Sequence, residues 1–183
     1  MGSIGTDRMH HQLVDEIRQA TEAVLSTMMG LEAKAGRPSA DSAGPGPIGG
    51  VSAMVGIVGP WAGAGTVSCD GALACRLAGA MLMATYDSVN DDVLDAMGEV
   101  ANMIIGNIKT NLEQTLGPMA LGVPTVTFGK DFATRSTLKQ TWTLVPFACD
   151  GGHLFVQVLL AESSRVAHTP RLAPPRVFAE TRA

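Results

Sequence analysis

The composition of the chain limits the classes of protein to which it can belong. Its 183 residues carry a formal net charge of −4 and are 46% hydrophobic but only 4% aromatic, which suits one modest domain with a single buried core. An acidic balance argues against nucleic acid or an anionic membrane surface as the main partner. No run of about 18 apolar residues is present and the first residues lack an apolar segment, so we expect a cytoplasmic protein without a membrane span or signal peptide.

The first part of the chain, up to residue 69, predicts one helix and two strands. Residues 1–8 read as a flexible N-terminus, and residues 10–29 have the apolar spacing of an amphipathic helix. The stretch 33–50 is rich in Gly, Pro, Ser and Ala and predicts a flexible loop within the domain. Strands are predicted at 51–58 and 65–69, joined by turn residues.

The remainder of the chain predicts two helices and three strands. A helix over 72–84 is apolar nearly all round and should be well buried, and the next helix spans 90–113. Short connections separate the predicted strands, which should therefore pair as antiparallel hairpins; they are 123–128, 138–148 and 153–160. The Pro- and Arg-containing tail, 163–183, lacks periodicity and should be disordered. The prediction is an α+β fold, order α-β-β-α-α-β-β-β, in which one domain spans 9–162 and a mainly antiparallel sheet carries helices.

The cysteines and histidines predict no metal site and no disulfide framework. Cys69, Cys75 and Cys149 are odd in number and lack a metal-ligand spacing, so we expect them to be small core residues. His10 and His11 have no acidic or cysteine partner in metal register. We expect this chain to bind no metal or other cofactor.

The helix over 90–113 presents two separate stripes. Asn90 is a good N-cap. Apolar residues recur at three- and four-residue steps on one stripe: Leu94, Met97, Ala101, Ile104, Ile105, Ile108 and Leu112. Polar and small residues form the other: Asp95, Glu99, Asn102, Gly106, Lys109 and Glu113. Glu99 and Asn102 can present a carboxylate and an amide side by side. Such a stripe is most often simply a solvated helix face.

The wider pattern resembles a known family. Asp95-x-x-x-Glu99-x-x-Asn102, followed some twenty residues later by Pro124 in GVPTVTFGKDF, is similar to the CheC/CheX/FliY family of response-regulator phosphatases. The resemblance covers about residues 50–160. Because the first helix has no Glu-x-x-Asn of its own, the match is to the single-site, CheX-like branch. The resemblance implies the CheC/CheX-like fold and a homodimer through a sheet edge.

The resemblance also implies a partner and a role for each motif residue. The substrate is the aspartyl phosphate of a CheY-like receiver domain, which supplies its own Mg²⁺, acidic pocket and lysine. Asn102 would position the attacking water and Glu99 would pair with the receiver lysine. Asp95 would support them and Gly106 would allow close approach, while Pro124 would set the start of the following strand.

The residues themselves are compatible with that chemistry and leave two other classes open. No Ser-His-Asp or Cys-His arrangement can be placed beside Glu99 and Asn102. A neutral amide can accept from a water and donate to a phosphoryl oxygen, and acyl phosphate hydrolysis needs mainly a positioned water and neutralised charge. One alternative is a non-catalytic receiver-binding or flagellar-switch-type adaptor of the same fold. The other is a small-ligand or sensory domain, suggested by the apolar core and many glycines.

Overall fold

The computed structural model describes residues 3–41, 48–132 and 141–166, and these form helices packed on an antiparallel sheet. The helices are α1 Ser3–Met29, α2 Gly71–Leu82, α3 Asp91–Leu116 and the short α4 Ser163–Val166. The strands are β1 Ala33–Ala35, β2 Ser39–Asp41, β3 Ile48–Val58, β4 Trp61–Cys69, β5 Ala120–Leu121, β6 Thr125–Phe132, β7 Trp142–Cys149 and β8 Gly152–Glu162. The predicted α+β class with a mainly antiparallel sheet is confirmed.

The sheet is arranged symmetrically about its central pair of strands. Its order is β1-β7-β8-β4-β3-β5, with β2 also paired to β7 and β6 also paired to β3. The hairpins β3–β4 and β7–β8 therefore meet through β4 and β8, and two strands cover the outer edge of each hairpin. Each half of the chain supplies a long helix, two edge strands and a hairpin in that order. The fold is consequently a pseudo-twofold repeat, with α1 and α3 in corresponding positions.

The core lies between the sheet and the three long helices. Alternation along the strands sends every second side chain toward the helices, and the paired registers place one row of such residues across the sheet: Val126, Ala53, Val67, Val156 and Val145. At Gly65 the sheet has no side chain on this face, and a methyl group there would overlap with Cδ1 of Ile105. Helix α3 therefore packs closely on β4 at this position.

Hydrogen-bonding side chains and glycines mark the helix ends. The N–H of Leu73 donates to Oδ1 of Asp70 over 2.7 Å at the start of α2. The N–H of Val93 donates to Oδ1 of Asn90 over 3.1 Å, which confirms Asn90 as the N-cap of α3. Gly117, with φ +85, ends α3. No helix in the described ranges is long and apolar enough to cross a membrane.

Two sequence-based predictions near the N-terminus need correction. Helix α1 begins at Ser3, within the segment 1–8 for which the sequence predicts flexibility. Within 33–50, where the sequence predicts a flexible loop, β1 and β2 pair with β7, and β3 already starts at Ile48. The reason is that the edge of β7 offers backbone groups that need partners, and a segment can pair with them without an alternating apolar pattern.

Two other predicted segments are only partly described. Residues 42–47 and 133–140 lie outside the described residues, as does the tail from 167 onward. At the start of the predicted tail, Ser163–Val166 is helical, and the N–H of Ser163 donates to the carbonyl of Pro60 over 2.9 Å. The strand predicted at 138–148 is β7, which begins at Trp142.

Candidate functional site

The polar stripe of α3 lies on the outer side of the helix. Asp95 and Glu99 are exposed, whereas Asn102 and Gly106 are half-buried. In the described part of the chain, no hydrogen-bond or ion-pair partner is found for the side chains of Asp95, Glu99 or Asn102. Two carboxylates and an amide without a partner among the described residues are available to another molecule.

The segment that connects β5 to β6 runs along α3 beside Asn102. A Cβ atom at Gly98, one turn before Asn102, would lie 3.6 Å from Cβ of Pro124. A Cβ atom at Gly106, one turn after it, would lie 3.7 Å from Cδ1 of Leu121. The segment from Leu121 to Pro124 therefore passes Asn102 in the direction opposite to the helix. Asn102 stands at the boundary between the helix and this edge of the sheet, which accounts for its partial burial.

Gly98, which the sequence did not single out, allows α3 to pack closely against the start of β6. Its Cβ position would also lie 3.2 Å from Cγ2 of Val126, tighter than ordinary van der Waals contact. A larger residue there would push the helix away from the start of β6. The signal in the sequence is the spacing, because Gly98 and Gly106 lie four residues to either side of Asn102 and form one line along the helix.

The C-terminal part of the stripe has a structural task. Lys109 Nζ lies 2.9 Å from Oε2 of Glu113 and donates to the carbonyl of Met119 over 3.3 Å. The N–H of Met119 donates to Oε1 of Glu113 over 2.7 Å. The hydrogen bond from Lys109 and that from the Met119 backbone hold the pKa of Glu113 below its ordinary value. Lys109 and Glu113 thus fasten the end of α3 to the chain that enters β5, and the predicted stripe divides into an unpartnered half and a structural half.

The corresponding helix α1 uses polar residues to pack on α3. Oε2 of Glu16 accepts a hydrogen bond from Nδ2 of Asn111 over 2.8 Å, and Nε2 of Gln12 donates to Oγ1 of Thr115 over 3.3 Å. These side chains join the two helices. The pseudo-symmetry of the fold is therefore not matched by a second unpartnered Glu and Asn pair at these positions.

The remaining reactive groups among the described residues do not form a catalytic constellation. Burial raises the pKa of the Cys69 thiol to about 12, and burial also raises the pKa of Cys75 and of Cys149. The described residues contain no cluster of His, Cys, Asp and Glu side chains that could hold a metal ion. A shallow groove of about 430 Å³ lies at the β7–β8 turn, where Lys34 and His153 are among its lining residues. It belongs to the opposite half of the sheet from Glu99 and Asn102.

The fold and this exposed stripe define the CheC/CheX-like class of α+β proteins. The family model described as "Chemotaxis phosphatase CheX" matches residues 51–148, more than half of the chain. The chain therefore belongs to the CheX family. Asp95, Glu99, Asn102, Gly106 and Pro124 all lie within the matched range, and their individual roles stay predictions.

Solved structures of CheX proteins are similar over most of the chain. Chemotaxis protein CheX from Vibrio vulnificus is 27% identical, with 81% of this chain and 99% of that chain covered at a TM-score of 0.73. CheX from Desulfovibrio desulfuricans is 29% identical, with 81% and 99% covered at a TM-score of 0.71. The CheX–CheY–BeF₃–Mg²⁺ complex from Borrelia burgdorferi is 26% identical, with 82% and 98% covered at a TM-score of 0.71. No curated protein sequence matches this chain.

Proposed function

We propose that this chain hydrolyses the aspartyl phosphate of a CheY-like receiver domain. The observation that carries the proposal is the unpartnered pair on α3, in which Glu99 is exposed and Asn102 lies beside it at the sheet edge. Membership of the CheX family and the existence of a CheX–CheY complex in a relative support a receiver as the partner.

In this proposal, Asn102 supplies one amide to the partner's reaction centre. The amide oxygen accepts a hydrogen bond from a water, and the amide N–H₂ donates to a phosphoryl oxygen. The water oxygen forms a bond to phosphorus while the bond from phosphorus to the aspartyl oxygen breaks, giving inorganic phosphate and a free aspartate. The transition state needs in-line geometry and neutralised charge. The Mg²⁺ that contributes this neutralisation belongs to the receiver and is a cofactor of the partner.

The neighbouring residues position the receiver. Glu99 is exposed on the crest of α3 and would pair with the receiver lysine. Asp95, also exposed, lies one turn earlier and supports the docking surface. Gly106 has no side chain, so the receiver can approach the backbone of α3 closely at this position. Pro124 packs against the Gly98 position and keeps the segment between β5 and β6 beside Asn102.

Substitution of Asn102 tests the catalytic role. Asn102→Ala should reduce phosphate release from an acetyl-phosphate-charged receiver by roughly 10²-fold or more, the scale of losing one transition-state donor. Asn107→Ala is the matched control, because Asn107 is an exposed asparagine on the same helix but points well away from Asn102. Equal rates for the wild type and Asn102→Ala would reject the assignment.

Substitution of Glu99 tests the docking role separately. Glu99→Ala should mainly raise the KM for the phosphorylated receiver, because it removes a charge that binds ground state and transition state alike. Circular dichroism should show an unchanged fold, since Glu99 is exposed. A large fall in kcat at unchanged KM would contradict a docking role. The homodimer and the cytoplasmic location expected from the sequence stay predictions.

A further inference from the structure

A large apolar side chain is held out into solvent next to the unpartnered half of the α3 stripe. Val123 is 89% exposed, and of the described large apolar residues only Met83 is more exposed, at 93%. Met83 is the left-handed C-cap residue of α2. Val123 instead lies between Leu121 and Pro124, which both pack against α3, so its exposure needs a different explanation.

The backbone around Val123 is fixed on both sides. Before it, the N–H of Gly122 donates to the carbonyl of Gly56 over 2.8 Å, which attaches the segment to β3. After it, Pro124 packs at the Gly98 position of α3. A β-branched side chain on such a backbone has few rotamers. Val123 would therefore lose little conformational entropy when a partner binds to it.

The position of Val123 relative to Asn102 follows from the packing along α3. Leu121 lies at the Gly106 position and Pro124 at the Gly98 position, so the chain between them passes the turn of the helix that carries Asn102. Glu99 lies on the exposed crest of that helix, on the side of Asn102 away from this connection between β5 and β6. Asn102 is therefore flanked by a carboxylate on one side and by an exposed apolar side chain on the other.

We propose that Val123 is an apolar docking contact for the receiver, burying its isopropyl group against an apolar side chain at the rim of the phosphorylation site. The inference rests on the proposed function, because a receiver that places its phosphoryl group over Asn102 must cover Val123 as well. Val123 sets the affinity for the receiver and takes no part in the hydrolytic step. Glu99 supplies the charged contact of the same surface, and Val123 supplies the apolar one.

The test compares Val123→Ser with Val58→Ser. Val58 is 58% exposed, and it points to the sheet face away from the helices because its neighbour Ile57 is buried in the core. Val123→Ser should raise the KM for the phosphorylated receiver by about tenfold at unchanged kcat, the effect of losing a well-buried isopropyl contact. Val58→Ser should leave both constants within about twofold of the wild type. Val123→Ile, which keeps an apolar β-branched side chain, should retain the wild-type KM.

Binding to a beryllofluoride-charged receiver separates this inference from the phosphatase assignment. Val123→Ser should raise the Kd about tenfold, whereas Asn102→Ala should leave it nearly unchanged. If Val123→Ser matches Val58→Ser in both KM and Kd while Asn102→Ala abolishes turnover, the docking role is wrong and the phosphatase stands. If the wild type binds the receiver without releasing phosphate, the phosphatase is wrong and the Kd of Val123→Ser alone decides the docking role. A wild type that binds no charged receiver would overturn both.

Discussion

The close packing of α3 on β4 makes a quantitative prediction about Gly65. A methyl group added there would overlap with Cδ1 of Ile105 and lie 2.7 Å from its Cγ1 and 3.1 Å from its Cγ2. Because comfortable carbon–carbon contacts are about 3.5–4.0 Å, rotating the terminal methyl away would leave the other two contacts too short. Gly65→Ala must therefore displace either Ile105, which is fully buried, or the helix itself.

The expected loss of stability follows from two opposing effects. Overpacking a buried site costs about 1–3 kcal/mol. Replacing glycine stabilises by about 0.4–1 kcal/mol through the unfolded chain where the backbone is compatible, and Gly65 does not have a positive φ. Gly65→Ala should therefore lower the free energy of unfolding by about 1–2 kcal/mol.

A double-mutant cycle with Ile105→Ala identifies the cause. Ile105→Ala alone should cost about 2–5 kcal/mol, because it leaves a cavity beneath α3. In the double variant the methyl group introduced by Gly65→Ala occupies part of that cavity. The loss of unfolding free energy in the double variant should therefore be smaller than the sum of the two single losses by at least about 1 kcal/mol. Urea unfolding, followed by circular dichroism with constant m-values, measures the four free energies. Strictly additive losses would refute the explanation based on contact between residues 65 and 105.

The other predictions concern ionisable groups. Because the folded-state pKa of Glu113 is lowered by Lys109, its stabilising effect is present above the ordinary glutamate pKa and lost as the pH falls through the folded-state value. Glu113→Gln should therefore have a lower melting temperature than the wild type at pH 7, and this difference in melting temperature should shrink below about pH 4.5. A difference that does not change with pH would contradict the role of the charge. The raised pKa of the buried Cys69, Cys75 and Cys149 thiols predicts slow alkylation by iodoacetamide at pH 8 in the folded chain and rapid alkylation in urea. Equally fast alkylation in both states would show that these thiols are accessible.

Periodicity predicts the long elements well and the edge strands poorly. The α3 helix is recognisable because its apolar residues recur with the helical period over about five turns. The short strands β1 and β2 carry no such pattern, since they are held by backbone hydrogen bonds to β7. The predicted strand at 65–69 is shorter than β4 because the first half of β4, Trp61–Gly65, consists largely of small residues with low strand propensity.

The sequence alone determined which helix carries the carboxylate and the amide, because helical spacing puts Glu99 and Asn102 on one face wherever the helix lies. It also determined the α+β class and the family resemblance. Only the tertiary structure decided which parts of the polar stripe are available. The attachment of Lys109 and Glu113 to the backbone of Met119, the approach of the Leu121–Pro124 segment to Asn102 and the exposure of Val123 all depend on how one element meets another. Such contacts arise from the packing of the sheet and the helices, and local periodicity carries no information about them.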